Sequence, residues 1–133
     1  RATVYFLILF RTHVNITLHL TLCDENPHVR MDTSLFEQVL VNIIKNAAES
    51  IGEEGNIFIR TSVFPTMLEI ADTGAGISKE VEAKLFSPFF STKPNGQGIG
   101  LIFIREVLMK HGCTFSLRTY SDGLTRFRIR FSA

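Results

Sequence analysis

"PNGQGIGLIFIREVLMKHG", residues 94–112, places glycines at alternate positions 96, 98 and 100 before an apolar stretch that ends at Gly112. From Ile99 onward the stretch reads as a helix stopped by Gly112. Glycines crowded ahead of a helix let backbone come close to something, often an anion held on free N–H groups. Two familiar loops fail on spacing. A Walker loop needs G-x-x-x-x-G-K-[ST], but five residues past Gly96 stands Leu101 and no Lys-Ser or Lys-Thr follows. The dinucleotide fingerprint G-x-G-x-x-G also needs glycine at 101 and belongs early in a βαβ unit. A plain glycine-rich turn satisfies this stretch equally well, so the rest of the chain has to decide.

Downstream, "TFSLRTY" and "LTRFRIRF" flank Ser121-Asp122-Gly123 as a closing hairpin. Upstream, "NIFIRTSV" and "MLEIAD" read as strands joined by the turn "FPT", and "SKEVEAKLF" as a short helix capped by Ser78. Leu35, Phe36, Val39, Leu40, Ile43, Ile44 and Ala47 recur at helical spacing, behind a Ser34/Glu37 capping box and ahead of Gly52. "VNITLHLTL" (14–22) alternates at every step, predicting a strand with Val14, Ile16, Leu18, Leu20 and Leu22 on one buried side and His19 solvated. Residues 1–12 fit either a strand or a buried helix. The pattern is α/β (α+β): a two-layer sandwich with helices on one sheet face.

Composition narrows the class. At 133 residues the chain is one domain, 45% hydrophobic and 20% charged, with net charge +1. No basic block points to nucleic acid, and "VYFLILF" (4–10) is far shorter than the ~20 residues a membrane helix needs. That run lacks a small-residue cleavage site, so a signal peptide is not expected. The chain opens in mid-pattern at Arg1, as an excised domain would. Cys23 and Cys113 stand apart without metal spacing and read as reduced thiols.

Several polar residues sit where apolar ones would serve the fold better. Asn42 and Asn46, four apart on one helix face, are either solvent-facing amides or oxygen ligands for a hard cation such as magnesium. Asp72 ends an apolar strand ahead of Gly74 and Gly76. It either caps a turn or accepts a hydrogen bond from a ligand amine. Phe86, Phe89 and Phe90 anchor a loop, and Lys93 is either solvated or complements an anion.

Together, Asn42/Asn46, Asp72-x-Gly74-x-Gly76, Phe86-x-x-Phe89-Phe90 and Gly96-x-Gly98-x-Gly100-Leu101 resemble the asparagine, first glycine, phenylalanine and second glycine boxes of the ATP-binding catalytic domain of bacterial sensor histidine kinases. These belong to the superfamily of gyrase, the ninety-kilodalton heat-shock chaperone and mismatch-repair ATPases. The spacing of 26 residues from Asn46 to Asp72 and 26 from Asp72 to Gly98 agrees. The likeness runs from about Val14 to Phe131, including Gly123-x-Thr125.

The resemblance implies a Bergerat-type fold. Its sheet is five-stranded, mixed and mostly antiparallel, with about three helices on one face. Residues 1–12 become the tail of a helix, and residues 77–97 a mobile ATP lid. It implies that Asp72 accepts from the adenine amine, with Thr125 supporting through water, while Gly74, Gly76 and Ile77 lie along the ring. Asn46, with Asn42, would hold Mg2+. Gly96, Gly98, Gly100 and Leu101 would cradle the phosphates where the helix dipole favours anions, and Lys93 would add charge.

Relatives that hydrolyse ATP carry a glutamate base where Asn42 stands, and an amide cannot take a proton from water. The expected activity is therefore transfer of the γ-phosphoryl to a histidine on a separate dimerisation domain, within a two-component system feeding a response regulator. None of His13, His19, His28 and His111 precedes an acidic residue as the acceptor does in such kinases, so the acceptor is expected elsewhere. Gln97 and Glu49 depart from the commoner Thr and Lys. A cytoplasmic location, with no direct membrane contact by this domain, follows from the resemblance. A nucleotide-binding regulatory module without phosphotransfer, or a hydrolysing ATPase, are the alternatives.

Overall fold

Segments of period two and period 3.6 alternate along the chain, and each settles where its apolar side can be covered. The computed structural model describes residues 15–24, 29–86 and 99–131. In chain order these form β1 (Ile16–Thr21), α1 (Thr33–Ile51), β2 (Gly55–Val63), β3 (Thr66–Asp72), α2 (Lys79–Glu82), α3 (Ile99–Lys110), β4 (Thr114–Thr119) and β5 (Thr125–Arg130). The expected element over residues 1–12 lies outside the described residues.

The strands form one sheet in the order β1-β2-β3-β5-β4. β1 runs parallel to β2, and every other neighbouring pair is antiparallel. The mixed, mostly antiparallel five-stranded sheet and the α+β class read from the sequence are therefore what the chain adopts. α1 and α3 pack against each other and against the sheet. Ile43, Ile44, Ala47, Ile57, Ile70, Ile104, Leu108, Phe127 and Ile129 are buried between them. Val39, Ile104, Leu108 and Ile129 are shut off from solvent, each contributing about 1.5–3 kcal/mol.

Two local expectations need correction. α1 is capped by Asp32, whose carboxylate accepts from the Leu35 N–H at 3.0 Å, and not by Ser34. Asp32 stands just ahead of the first helical residue, where a charged acceptor also meets the positive end of the helix dipole; Ser34 is already inside the first turn. In β1 the apolar side is buried at one end only. Ile16 is buried, whereas Leu20 is 53% and Leu22 is 62% exposed. β1 is an edge strand, and α1 rests on β2 and β3 rather than over its far end.

The other assignments hold, except that the short helix expected over "SKEVEAKLF" ends at Glu82 and residues 83–86 continue as turns. Ser78 caps α2 by accepting from Val81 N–H, and α3 ends just before Gly112 at φ 73°. The β2–β3 turn is Phe64-Pro65, joined by a cis peptide, with Thr66 already in strand. Cys23 and Cys113 are not joined in a disulfide.

Candidate functional site

The ladder registers align residues from all five strands into rungs whose side chains share a face. On the helix-covered face one rung reads Leu20, Ile59, Ile70, Phe127, Leu117. The next reads Leu18, Ile57, Asp72, Thr125, Thr119. The apolar layer thus ends in a row of three polar side chains, and this row is the nucleus of the site.

Asp72 is the last residue of β3 and is buried to 6% exposure. Burial pushes its carboxyl up to about 6, partly offset by a hydrogen bond from the Gly74 N–H at 2.8 Å. The turn-cap reading of Asp72 holds here. One carboxylate oxygen caps the turn, and the other takes no hydrogen bond from any described residue. A carboxylate held in a desolvated place with spare acceptor capacity is poised for a donor from outside.

Gly74 is needed because the turn lies directly on α1. A Cβ there would meet the Ser50 hydroxyl and, at 2.7 Å, the Ser50 carbonyl carbon, and the latter is helix backbone that cannot retreat. The Ala75 N–H donates to the Ser50 carbonyl at 3.2 Å. Ser50, Asn46 and Asn42 follow one another at intervals of four, so they share a stripe along α1. At about 1.5 Å per residue, Asn46 lies ~6 Å and Asn42 ~12 Å along the axis from the Asp72 turn's seat. The Asn42 amide nitrogen donates to the Gln38 carbonyl at 2.9 Å, leaving its amide oxygen as the group on offer. Asn46 is half-buried on the same stripe.

Beyond Asp72, Gly76 turns the chain at φ 83°, where only glycine is at ease. The Ile77 N–H then donates to Thr119 Oγ1 at 2.7 Å. Thr119 Oγ1 lies 2.8 Å from Thr125 Oγ1, and the Thr119 N–H donates to Glu82 of α2 at 3.2 Å. Phe86 packs edge-on against Phe115 at 5.2 Å and Phe127 at 6.2 Å, as an anchor would. Leu101 packs against the core, and Gly100 falls in the first turn of α3. Phe89, Phe90, Lys93, Gly96, Gln97 and Gly98 lie outside the described residues.

Thr119 and Glu82 are not among the residues that the sequence singles out. A signal for Thr119 is nonetheless present in β4, where Phe115, Leu117 and Thr119 alternate on the core face and only the last is polar. Among the described residues no three His, Cys, Asp or Glu side chains converge as a metal cluster, and every side-chain polar atom fully shut off from solvent has a hydrogen-bond partner, so the second Asp72 oxygen is one that still reaches solvent. On the opposite sheet face, Glu69 is buried and bonded to Arg128 at 2.7 Å, with Arg126 at 3.5 Å. Tyr120 lies under both guanidiniums.

The profile of the family described as histidine kinase-, DNA gyrase B- and HSP90-like ATPase matches residues 31–133. The chain belongs to that family. Within it, this ATPase-family domain is similar to the sensor histidine kinase ZraS of Escherichia coli O157:H7, at 31% identity over 116 residues. That match covers 86% of this chain and 25% of ZraS. The C4-dicarboxylate transport sensor protein DctB of Rhizobium meliloti is 38% identical over 93 residues, covering 67% of this chain and 15% of DctB. The domain thus spans about a quarter or less of the length of these relatives. Its fold superposes on the nucleotide-free catalytic domain of histidine kinase ThkA with TM-score 0.85 and 29% identity, covering 98% of this chain and 86% of that one. The likeness to the ATP-binding domain of sensor histidine kinases therefore holds in sequence and in fold. No helix among the described residues is long and apolar enough to cross a membrane.

Proposed function

We propose that residues 1–133 form one catalytic domain that binds Mg-ATP and donates the γ-phosphoryl to a histidine on a separate dimerisation domain, from which a response regulator would receive it. The observation that carries this reading is the polar rung of Asp72, Thr125 and Thr119 closing an otherwise apolar sheet face, with one Asp72 oxygen free of any described donor. Asp72 would accept from the adenine amine, with Thr125 beside it, and Gly74, Gly76 and Ile77 would lie along the ring. Phe86 would anchor the lid, residues 77–97.

The asparagine stripe supports a metal role. Magnesium prefers neutral or anionic oxygens and keeps much of its water, and the Asn42 amide offers oxygen because its nitrogen is already engaged by Gln38. Asn42 and Asn46 would hold the ion, which when bound neutralises phosphate charge. Lys93, Gly96, Gly98, Gly100 and Leu101 would take the triphosphate end near the start of α3. In the transfer the P–O bond to the ADP leaving group breaks as an N–P bond to the imidazole forms, and the imidazole N–H proton departs to solvent. Asn42 cannot act as a base for water, which favours transfer over hydrolysis. Such a domain would work in the cytoplasm, without direct contact with membrane or nucleic acid.

Calorimetry tests the binding half. Wild-type protein should bind ATP only with magnesium present, and Asp72→Ala should weaken binding at least about tenfold, about 1.4 kcal/mol. Unchanged affinity in the variant would reduce Asp72 to a turn cap. Mixing the domain with its parent's helical domain and γ-labelled ATP tests the transfer half: an acid-labile phosphohistidine is expected, and its absence alongside intact ATP binding would favour a regulatory module.

A further inference from the structure

We propose that Thr119 is a positioning residue for the purine, because its hydroxyl sets the direction in which the Thr125 hydroxyl donates. This rests on the nucleotide reading above. Thr119 pairs with Thr125 in the β4–β5 ladder, and Thr125 pairs with Asp72 in the β3–β5 ladder, so the three side chains stand in one row.

A hydroxyl has one proton and two lone pairs. Thr119 Oγ1 accepts the Ile77 N–H at 2.7 Å, a group that can only donate, and lies 2.8 Å from Thr125 Oγ1. No other described residue bonds to the Thr119 hydroxyl. Thr119 is fully satisfied when it donates to Thr125. In the reverse arrangement Thr119 accepts twice and its own proton has no described acceptor. Thr125, accepting from Thr119, sends its proton onward to the side where Asp72 stands.

The consequence is a pair of fixed polarity. Asp72 as carboxylate only accepts, and Thr125 beside it donates, directly or through one water. The edge of adenine offers the complement: an exocyclic amine that donates beside a ring N1 that accepts. Guanine presents the reverse order at these positions, a carbonyl oxygen beside an N–H, and would leave both protein groups unmatched. Thr119 also links this row to the following segment. Its hydroxyl holds Ile77, its N–H reaches Glu82 at 3.2 Å, and a Cβ at Gly76 would lie 3.4 Å from its side chain.

The experiment compares two ligands that differ only at the acceptor in question, ATP and 1-deaza-ATP, in which N1 is replaced by C–H and the amine is kept. Calorimetry on wild type, Thr119→Val and Thr119→Ser gives the preference for ATP in each. The expected result is a preference of about tenfold in wild type, its collapse to within about twofold in Thr119→Val, and its recovery in Thr119→Ser. If Thr119→Val weakens both ligands by the same factor, or if wild type shows no preference, the inference is overturned. Thr119→Ala takes the same criteria should the valine variant fail to fold. Wild-type protein that binds neither ligand would defeat the nucleotide reading itself, an outcome separable from retained ATP binding with an unmoved preference.

Discussion

Replacing Asp72 by Asn should make the free protein more stable while damaging the site. Burial raises the Asp72 pKa from 3.8 to about 6, so the fold resists ionising this group. The sign follows from linkage. A carboxyl whose folded pKa lies above its unfolded value favours the folded state below about pH 3.8, and that contribution is lost as pH rises through about 6. Above about pH 6 the ionised group therefore costs stability, with a ceiling of about 3 kcal/mol for roughly two pKa units, nearer ~2 once residual access to solvent is allowed for. Asn keeps a carbonyl oxygen for the Gly74 N–H and carries no charge. Thermal melting of both proteins from about pH 4 to about pH 8 should show a gap that opens with pH, reaching about 8 °C at the upper limit and closing at the lower. ATP affinity should fall at least about tenfold, about 1.4 kcal/mol. A melting difference that is flat with pH, or an Asn variant less stable at the upper limit, would rule this out.

Gly74→Ala should destabilise the turn by about 1–3 kcal/mol and weaken ATP binding, since the new Cβ meets Ser50 backbone; urea midpoints and calorimetry read both. Glu69→Ala should cost about 1–2 kcal/mol in urea unfolding by removing the acceptor of Arg128 and Arg126, since Arg126 keeps Asp122 at 2.7 Å and Arg128 reaches solvent, yet leave ATP affinity unchanged because Glu69 lies on the far face of the sheet. His111→Ala should cost about 1 kcal/mol by the same assay, because the ring joins the Asp32 N–H at 3.1 Å to the Val107 carbonyl at 2.8 Å, tying the start of α1 to the end of α3.

What the sequence reveals divides along the range of the interactions. Period and punctuation are local, so α1, α3, the hairpin at Gly123 and the α+β class are legible from spacing alone. Asp72, Gly74 and the asparagine pair are visible because polar or flexible residues interrupt apolar runs. The burial of β1 is not legible, because alternation tells which side is apolar, and not whether a helix reaches far enough to cover Leu20 and Leu22. Ser34 attracts the cap assignment of α1 because Glu37 completes a familiar pattern, whereas Asp32 wins by standing at the helix boundary. Thr119 is hidden because its role depends on register: residues 72, 119 and 125 become neighbours only when β3, β5 and β4 align. Ser50 is the same case, since nothing local says that the Gly74 turn will rest upon it.

Everything turns on whether the closing polar rung of the sheet reads an adenine base. A crystal of this domain soaked with magnesium and a non-hydrolysable ATP analogue decides it. The purine amine should lie about 3 Å from an Asp72 oxygen, with the phosphates extending along the Asn46–Asn42 stripe. A purine bound away from Asp72, with that carboxylate still touching only Gly74, would contradict it.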